Sequence, residues 1–72
     1  MHISLFAKRL KELRLSHKMI LHQIANMLNI SHVSYLRWEQ GKTQPSIESI
    51  TQLCKIFDVS SDYLFGIGDA YI

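Results

Sequence analysis

Two short helical patterns with a tight turn between them, within residues 21–40, constrain the fold more than any other feature of this sequence. The first pattern places apolar residues at the i, i+3, i+4 and i+7 positions of one helix face, and these residues are Leu21, Ile24, Ala25 and Leu28. Asn29 tolerates the left-handed backbone that ends a helix sharply, and the Ser31 hydroxyl can cap a following helix. The sequence therefore predicts two helices joined by a turn, the second running over residues 32–40.

Three further amphipathic segments flank this pair. The first runs from about Ser4 to Ser16, and its apolar face consists of Phe6, Leu10 and Leu13. A fourth helix follows the N-cap Ser46, and its predicted apolar stripe consists of Ile47, Ile50, Leu53, Cys54 and Phe57. A short fifth helix over residues 62–65 ends at Gly66.

No stretch of the sequence alternates between apolar and polar residues as a half-buried strand does. The 72 residues leave room for one domain. The sequence therefore predicts an all-α fold, a five-helix bundle, with one domain over residues 1–66 and a short tail over residues 67–72.

Charge is divided unevenly along the chain. The formal charge is +5 in residues 1–45 and −3 in residues 46–72, which gives the net +2 of the whole chain. A basic half beside an acidic half indicates one face for a polyanion and a different role for the rest.

Several function classes find no support in the sequence. Three of the four histidines, His17, His22 and His32, lack the spacing of a metal site, and Cys54 has no second cysteine beside it. We see no nucleophile with a base, no carboxylate pair and no glycine-rich phosphate loop, so we expect neither an enzyme nor a cofactor, a metal ion or a small-molecule substrate. Charges near the N-terminus interrupt any signal peptide, and no apolar run is long enough for a membrane helix, so we expect a soluble, cytoplasmic protein.

Four segments, in this order and spacing, carry a resemblance to a known family. They are RLKELR at residues 9–14, IANMLNIS at 24–31, WEQGKTQPS at 38–46 and LCKIFDVSSDYL at 53–64. Together they make the sequence similar, from about Phe6 to Gly66, to the Cro/repressor-type helix-turn-helix proteins, the XRE-like family. The resemblance implies a lambda-repressor-like bundle that binds double-stranded DNA through the helix-turn-helix.

The resemblance also implies which residues face DNA. The groove-facing positions of the second helix in the pair, the recognition helix, correspond to His32, Val33, Leu36 and Arg37. The positions that hold phosphate correspond to Leu21, Ser31, Gln40, Lys42 and Thr43. Of the base-facing residues, Arg37 is the best candidate for base readout, because arginine commonly forms two hydrogen bonds with guanine. His32 can contact a base edge or a phosphate, or it can be exposed without a partner in DNA.

The sequence departs from the family pattern where the first helix of the pair begins. Ile20 replaces the usual Ser or Thr N-cap, whose loss destabilises a helix by about 1 kcal/mol. Leu21 stands where the family commonly has a glutamine on phosphate. Behind the groove face, Tyr35 and Trp38 are expected in the core, and Glu39 is expected to pair with Arg9 or Arg14 of the first helix.

The leading functional hypothesis is a transcriptional repressor that acts as a homodimer on a palindromic operator. Two recognition helices about 34 Å apart read two half-sites. The expected dimer contact consists of Tyr63, Leu64, Phe65, Ile67, Tyr71 and Ile72. The alternative is a protein-interaction module of the same fold, because an exposed apolar patch often marks a protein-binding surface; this patch would consist of Ile20, Leu21, Val33 and Leu36.

Overall fold

The computed structural model describes residues 4–67, which form five helices and contain no strand. The helices are α1 (Leu5–Ser16), α2 (Leu21–Met27), α3 (His32–Glu39), α4 (Ile47–Phe57) and α5 (Ser61–Phe65). The all-α, five-helix prediction is therefore confirmed, and the helices begin and end within one or two residues of their predicted positions. The described helices are all too short and too polar to cross a lipid bilayer.

Serine hydroxyls begin four of the five helices. The N-cap residues of α1, α3, α4 and α5 accept a hydrogen bond from the amide three residues further on, at 3.1–3.2 Å, and they are Ser4, Ser31, Ser46 and Ser60. Such a bond satisfies one of the amides that a helix N-terminus leaves without a partner. The short helices of this chain consequently start at defined residues.

Left-handed residues end all five described helices. The positive φ angles lie between 55° and 76°, and they belong to Lys18, Asn29, Gly41, Asp58 and Gly66. After each of them, the next amide donates to the carbonyl five residues earlier, as Ile30 does to Ala25 at 3.0 Å. This is the Schellman arrangement, which satisfies the last carbonyls of a helix and reverses the chain. The predicted stops at Asn29, Gly41 and Gly66 are confirmed.

Each helix contributes one large, fully buried side chain to a single core. These side chains are Leu10, Ile24, Tyr35, Leu53 and Leu64. Ala25 is also buried, and Trp38 meets the Tyr35 ring edge to face, with 5.7 Å between the ring centroids. The predicted core role of Tyr35 and Trp38 is confirmed.

The predicted apolar stripe of α4 is wrong at its first residue. Ile47 begins the helix with its side chain 83% exposed, whereas Leu53 and Phe57 are buried. Ile50 and Cys54 are half-buried, and burial raises the pKa of the Cys54 thiol, so the thiol stays in its neutral form. The predicted stripe is therefore one turn longer than the face of α4 that packs against the rest of the bundle.

A buried ion pair joins α1 to α3. The Arg14 guanidinium donates to both carboxylate oxygens of Glu39, at 2.7 and 3.1 Å, and a third bond from Arg14 reaches the Met19 carbonyl at 3.0 Å. Both side chains are buried, and the contact with Glu39 raises the pKa of Arg14. Of the two predicted partners for Glu39, Arg14 is therefore the one observed.

Arg9, the other predicted partner of Glu39, connects α1 to α5 instead. Its guanidinium lies over the Tyr63 ring, 4.3 Å from the ring centroid, and also donates to the Tyr63 carbonyl. The two arginines of α1 therefore contact different helices, and α1 is connected through them to both α3 and α5.

Removal of the Glu39 carboxylate should destabilise the fold strongly. Glu39→Ala leaves the Arg14 guanidinium buried without its counter-ion, so we expect the free energy of unfolding to fall by about 3–5 kcal/mol. Urea denaturation measures this change. Glu12→Ala, which removes an exposed carboxylate from α1, should change it by less than about 0.5 kcal/mol. Equal losses in the two variants would contradict a structural role for the pair.

Candidate nucleic-acid interface

Helix α3 divides into a buried and an exposed side. Tyr35, Trp38 and Glu39 face the core, whereas His32, Val33 and Arg37 are exposed. Because the buried side is fixed by ring packing and by the Arg14–Glu39 pair, the exposed side projects as a ridge along one surface. A ridge of this kind is what an α-helix needs to enter the major groove.

Leu36 differs from the other three residues predicted to face bases, because it is half-buried. It lines a groove of about 780 Å³ between α1 and α3. Leu15 shares this groove with it, and three lysines and one exposed carboxylate lie around it: Lys8, Lys11, Lys42 and Glu12. The groove therefore adds positive charge alongside the exposed ridge of α3.

In the loop after α3 the side chains are exposed, whereas the backbone amides donate hydrogen bonds to carbonyls at the end of α3. The amides of Lys42 and Thr43 both donate to the Arg37 carbonyl, at 3.0 and 3.5 Å, and the Gln40 amide donates to Leu36. The side chains of Gln40, Lys42 and Thr43 are exposed. These three residues, which the resemblance places on phosphate, are consequently available through their side chains.

Two other residues predicted to hold phosphate have structural roles. The Ser31 hydroxyl accepts from the Ser34 amide at 3.1 Å and donates to the Ser34 hydroxyl at 3.0 Å, so capping of α3 uses it. The side chain of Leu21 packs against the core and has no polar group, so it offers no hydrogen bond to a phosphate, and the phosphate contact at this position stays a prediction.

Helix α2 recovers part of the cap that Ile20 cannot supply. Ile20 occupies the N-cap position without a side-chain hydrogen bond, as the sequence predicts. The Gln23 side-chain oxygen, however, accepts from the Ile20 amide at 2.9 Å, which is the reciprocal half of a capping box. The sequence signal for this bond is a glutamine three residues after the N-cap, and the bond was not predicted.

The turn between α2 and α3 brings two histidines together. His22, in the first turn of α2, and His32, which begins α3, stack their imidazole rings with 4.1 Å between centroids and 28° between ring planes. Both residues are exposed. His22 was missing from the predicted site residues, although the helix-turn-helix pattern places the start of α2 beside the start of α3. Among residues 4–67, three or more potential metal ligands do not cluster anywhere.

The predicted apolar patch for a protein partner is smaller in the structure. Ile20 and Val33 are 61% and 46% exposed, but Leu21 and Leu36 are half-buried against the bundle. The exposed surface around α3 therefore combines the apolar side chains of Ile20 and Val33 with imidazole and guanidinium groups.

The residues predicted for a dimer contact divide into four groups. Leu64 is fully buried in the chain's own core and is not available to a second copy, so this part of the prediction is wrong. Tyr63 is half-buried beneath Arg9, whereas Phe65 and Ile67 are exposed. Tyr71 and Ile72 lie outside the described residues. Leu5 is not among the predicted contact residues, but it is 45% exposed and its side chain lies over Gly66.

Comparison with known proteins places this arrangement in a family. A family model described as helix-turn-helix matches residues 10–64. The uncharacterised HTH-type transcriptional regulator YobD of Bacillus subtilis is 32% identical over 65 residues, which cover 90% of this chain and 58% of YobD. The HTH-type transcriptional regulator AnsR of the same organism is 36% identical over 58 residues, or 81% of this chain and 50% of AnsR. The chain thus spans between half and three-fifths of the length of these two relatives.

Solved structures share the fold. A transcriptional regulator from Listeria innocua superposes with a TM-score of 0.81 at 36% identity, over 85% of this chain and 57% of that one. The P22 c2 repressor, solved in complex with a synthetic operator, superposes with a TM-score of 0.78 at 26% identity, over 89% of this chain and 94% of that one. With its capped helix pair, its exposed α3 ridge and these similarities, the chain belongs to the helix-turn-helix family and has the lambda-repressor-like fold of the Cro/repressor type.

Proposed function

We propose that this chain is the DNA-binding domain of a transcription regulator, and that α3 enters the major groove of double-stranded DNA. The observation that carries the proposal is the exposed ridge of His32, Val33 and Arg37, fixed from behind by buried rings and a buried ion pair. The basic residues around this ridge support the same function, since phosphate contacts supply most of the non-specific affinity for DNA. The P22 c2 repressor, which has the same fold, was solved with an operator.

In this proposal the exposed residues have separate roles. Arg37 reads a base edge through its guanidinium, and Val33 packs on a thymine methyl group. Gln40, Lys42 and Thr43 hold phosphate through their side chains and set the position of α3 along the groove. We propose that the bound protein blocks transcription and therefore acts as a repressor.

We propose further that two copies bind a palindromic operator. A single helix reads only a few base pairs, and a two-fold axis doubles the sequence that is read. An exposed apolar surface supports the dimer: Leu5 lies over Gly66, Phe65 stacks on Phe6 with 5.4 Å between ring centroids, and Ile67 is 76% exposed. This surface consists of residues of α1, of α5 and of the segment just after α5, and none of the exposed ridge residues of α3 belongs to it.

Selection from random double-stranded DNA tests the proposed function. We expect one enriched sequence with two inverted half-sites, separated by about 34 Å or a multiple of that distance. We also expect the affinity for this duplex to fall steeply with salt, because each neutralised phosphate releases counterions. Failure to enrich any sequence, together with absence of salt-sensitive binding, would overturn the proposal and favour the protein-interaction module.

Two substitutions separate base readout from phosphate contact. Arg37→Ala should weaken binding to the selected duplex by about 1–3 kcal/mol, and it should relax specificity at one position of each half-site. Lys42→Ala should weaken binding to all duplexes similarly and reduce the salt slope by about 1. Fluorescence anisotropy titrations measure both effects. Lys55→Ala is the control, since it removes an exposed cation from α4, and it should leave both quantities unchanged.

A pair of matched substitutions tests the dimer. Ile67→Lys places a charge on the proposed apolar surface and should shift the chain from dimer to monomer in sedimentation equilibrium. It should also weaken operator binding at least tenfold, because each half-site then binds alone. Ile47→Lys changes an equally exposed isoleucine at the start of α4 and should leave the dimer intact. A monomeric parent chain, or equal effects of the two variants, would argue against this surface.

A further inference from the structure

The groove between α1 and α3 presents a surface that the proposed DNA contacts use only at one edge. Its α1 wall consists of side chains that share one helix face through their i, i+3, i+4 and i+7 spacing, and they are Lys8, Lys11, Glu12 and Leu15. Its α3 wall includes Leu36 and, four positions further on, Gln40. The Arg14–Glu39 pair also borders the groove and joins the two walls. The groove therefore has a defined shape before any partner binds.

Two leucines give this groove an apolar strip. Leu15 lies in the last turn of α1 and is 55% exposed, whereas Leu36 is half-buried on the α3 wall. Neither of them belongs to the hydrophobic core of the bundle. A single exposed leucine is ordinary, but apolar side chains that are grouped in one concave surface and surrounded by polar residues are typical of a protein-binding site.

The charges around the apolar strip are mainly positive. Three lysines there are exposed and form no ion pair with another residue in the range 4–67, and they are Lys8, Lys11 and Lys42. Of the two carboxylates that line the groove, Glu39 is bonded to Arg14, and Glu12 is exposed. Three lysines against one exposed carboxylate leave an excess of two positive charges for a partner to complement.

An apolar strip beside exposed cations selects the chemistry of the partner. A DNA duplex supplies phosphates to the lysines, but its backbone brings no large apolar side chain to Leu15 and Leu36. A polypeptide with both leucine-like and acidic side chains complements the whole groove. Residues 4–67 form no strand, so they offer a peptide no sheet edge to extend, whereas an amphipathic helix fits a groove between two helices.

We propose that the α1–α3 groove binds a short acidic amphipathic helix of a protein partner, and that this helix excludes DNA. Its apolar side chains pack on Leu15 and Leu36, and its carboxylates face the lysines. Leu36 and Lys42 also belong to the proposed DNA interface, so the duplex and the helix compete for them. The exclusion of DNA rests on the proposed function, whereas binding of the helix does not. This groove shares only Leu36 with the apolar patch that the sequence predicts for a protein partner.

A synthetic peptide tests the inference directly. The probe carries leucines at positions i, i+3 and i+7 and glutamates and alanines elsewhere, and a fluorescein label reports its anisotropy as the full chain is added. We expect saturable binding that weakens with salt. One control peptide has the same composition with its leucines at every second position, and another has lysines in place of the glutamates. Binding of either control as tight as that of the probe, or no binding of the probe, would overturn the inference.

A pair of serine substitutions tests the apolar strip. Leu15→Ser should weaken peptide binding roughly three- to tenfold, because a side chain that is about half exposed in the free chain no longer becomes buried. Ile47→Ser removes an exposed isoleucine from the start of α4, outside the groove, and should leave peptide binding unchanged. Leu15 has no part in the proposed DNA contacts, so Leu15→Ser should keep its affinity for the selected duplex. Equal effects of the two variants on peptide binding would contradict docking in the groove.

Charge substitutions provide a gain of affinity that a folding defect cannot imitate. Glu12→Lys replaces the exposed carboxylate of the groove with a cation and should tighten peptide binding about two- to fivefold at low salt. Lys11→Glu should weaken it by a similar factor. Lys55→Glu makes the same change on α4 and should have a much smaller effect. Unchanged or weaker binding by Glu12→Lys would show that the peptide does not respond to the charge of the groove.

Competition with the selected duplex separates this inference from the proposed function. Unlabelled peptide should displace a labelled duplex from the parent chain and should do so less effectively from Leu15→Ser. Peptide that binds without displacing the duplex would overturn the exclusion of DNA. If the parent chain binds no duplex in a salt-sensitive manner, the proposed function fails, and the peptide titration alone still decides whether the groove is a partner site.

Two other occupants of the groove would be recognised by the behaviour of Leu15→Ser. A loss of duplex affinity as large as the loss of peptide affinity would assign the groove to DNA. A shift of this variant from dimer to monomer in sedimentation equilibrium would assign the groove to a second copy of the chain. Either result would overturn the inference.

Discussion

The geometry of the candidate interface depends on one buried ion pair. Arg14 and Glu39 face each other from α1 and α3 with two hydrogen bonds, and Arg14 also holds the loop before α2 through the Met19 carbonyl. Burying two charges removes them from water, so such a pair adds little net stability over a well-packed apolar contact. Its directional bonds nevertheless fix three elements relative to one another. The exposed side of α3 inherits its orientation from this buried contact.

Helix ends supply the second constraint, and they show what the sequence could predict. Asparagine and glycine signal a left-handed residue, so the stops at Asn29, Gly41 and Gly66 were predictable. Lys18 and Asp58 adopt the same conformation, although their side chains do not require it. Aspartate tolerates this conformation as asparagine does, whereas lysine gives no such signal. Local propensity thus predicted the helices and three of their ends, and the other two ends were not predicted.

The candidate site was predictable to the extent that burial follows helical spacing. The exposed positions of His32, Val33 and Arg37 and the buried positions of Tyr35 and Trp38 follow from a period of 3.6 residues. Leu36 and Leu64 do not follow from it, because their burial depends on a second helix: α1 lies beside Leu36, and the whole core surrounds Leu64. The contact between His22 and His32 was not predicted for the same reason, because the two residues are ten positions apart in the sequence and only the turn brings their rings together.

The candidate interface combines a rigid backbone with side chains that can still move. Capping by Ser31 and Gln23 fixes the starts of α3 and α2, so the helix axes need not reorganise when a ligand binds. Free energy that would otherwise order the backbone can then go into contacts with the ligand. The exposed groups on this rigid frame include long side chains, and these can still adjust their rotamers to the partner. In a domain of this size, selectivity therefore depends on a few side chains whose positions the buried contacts have already set.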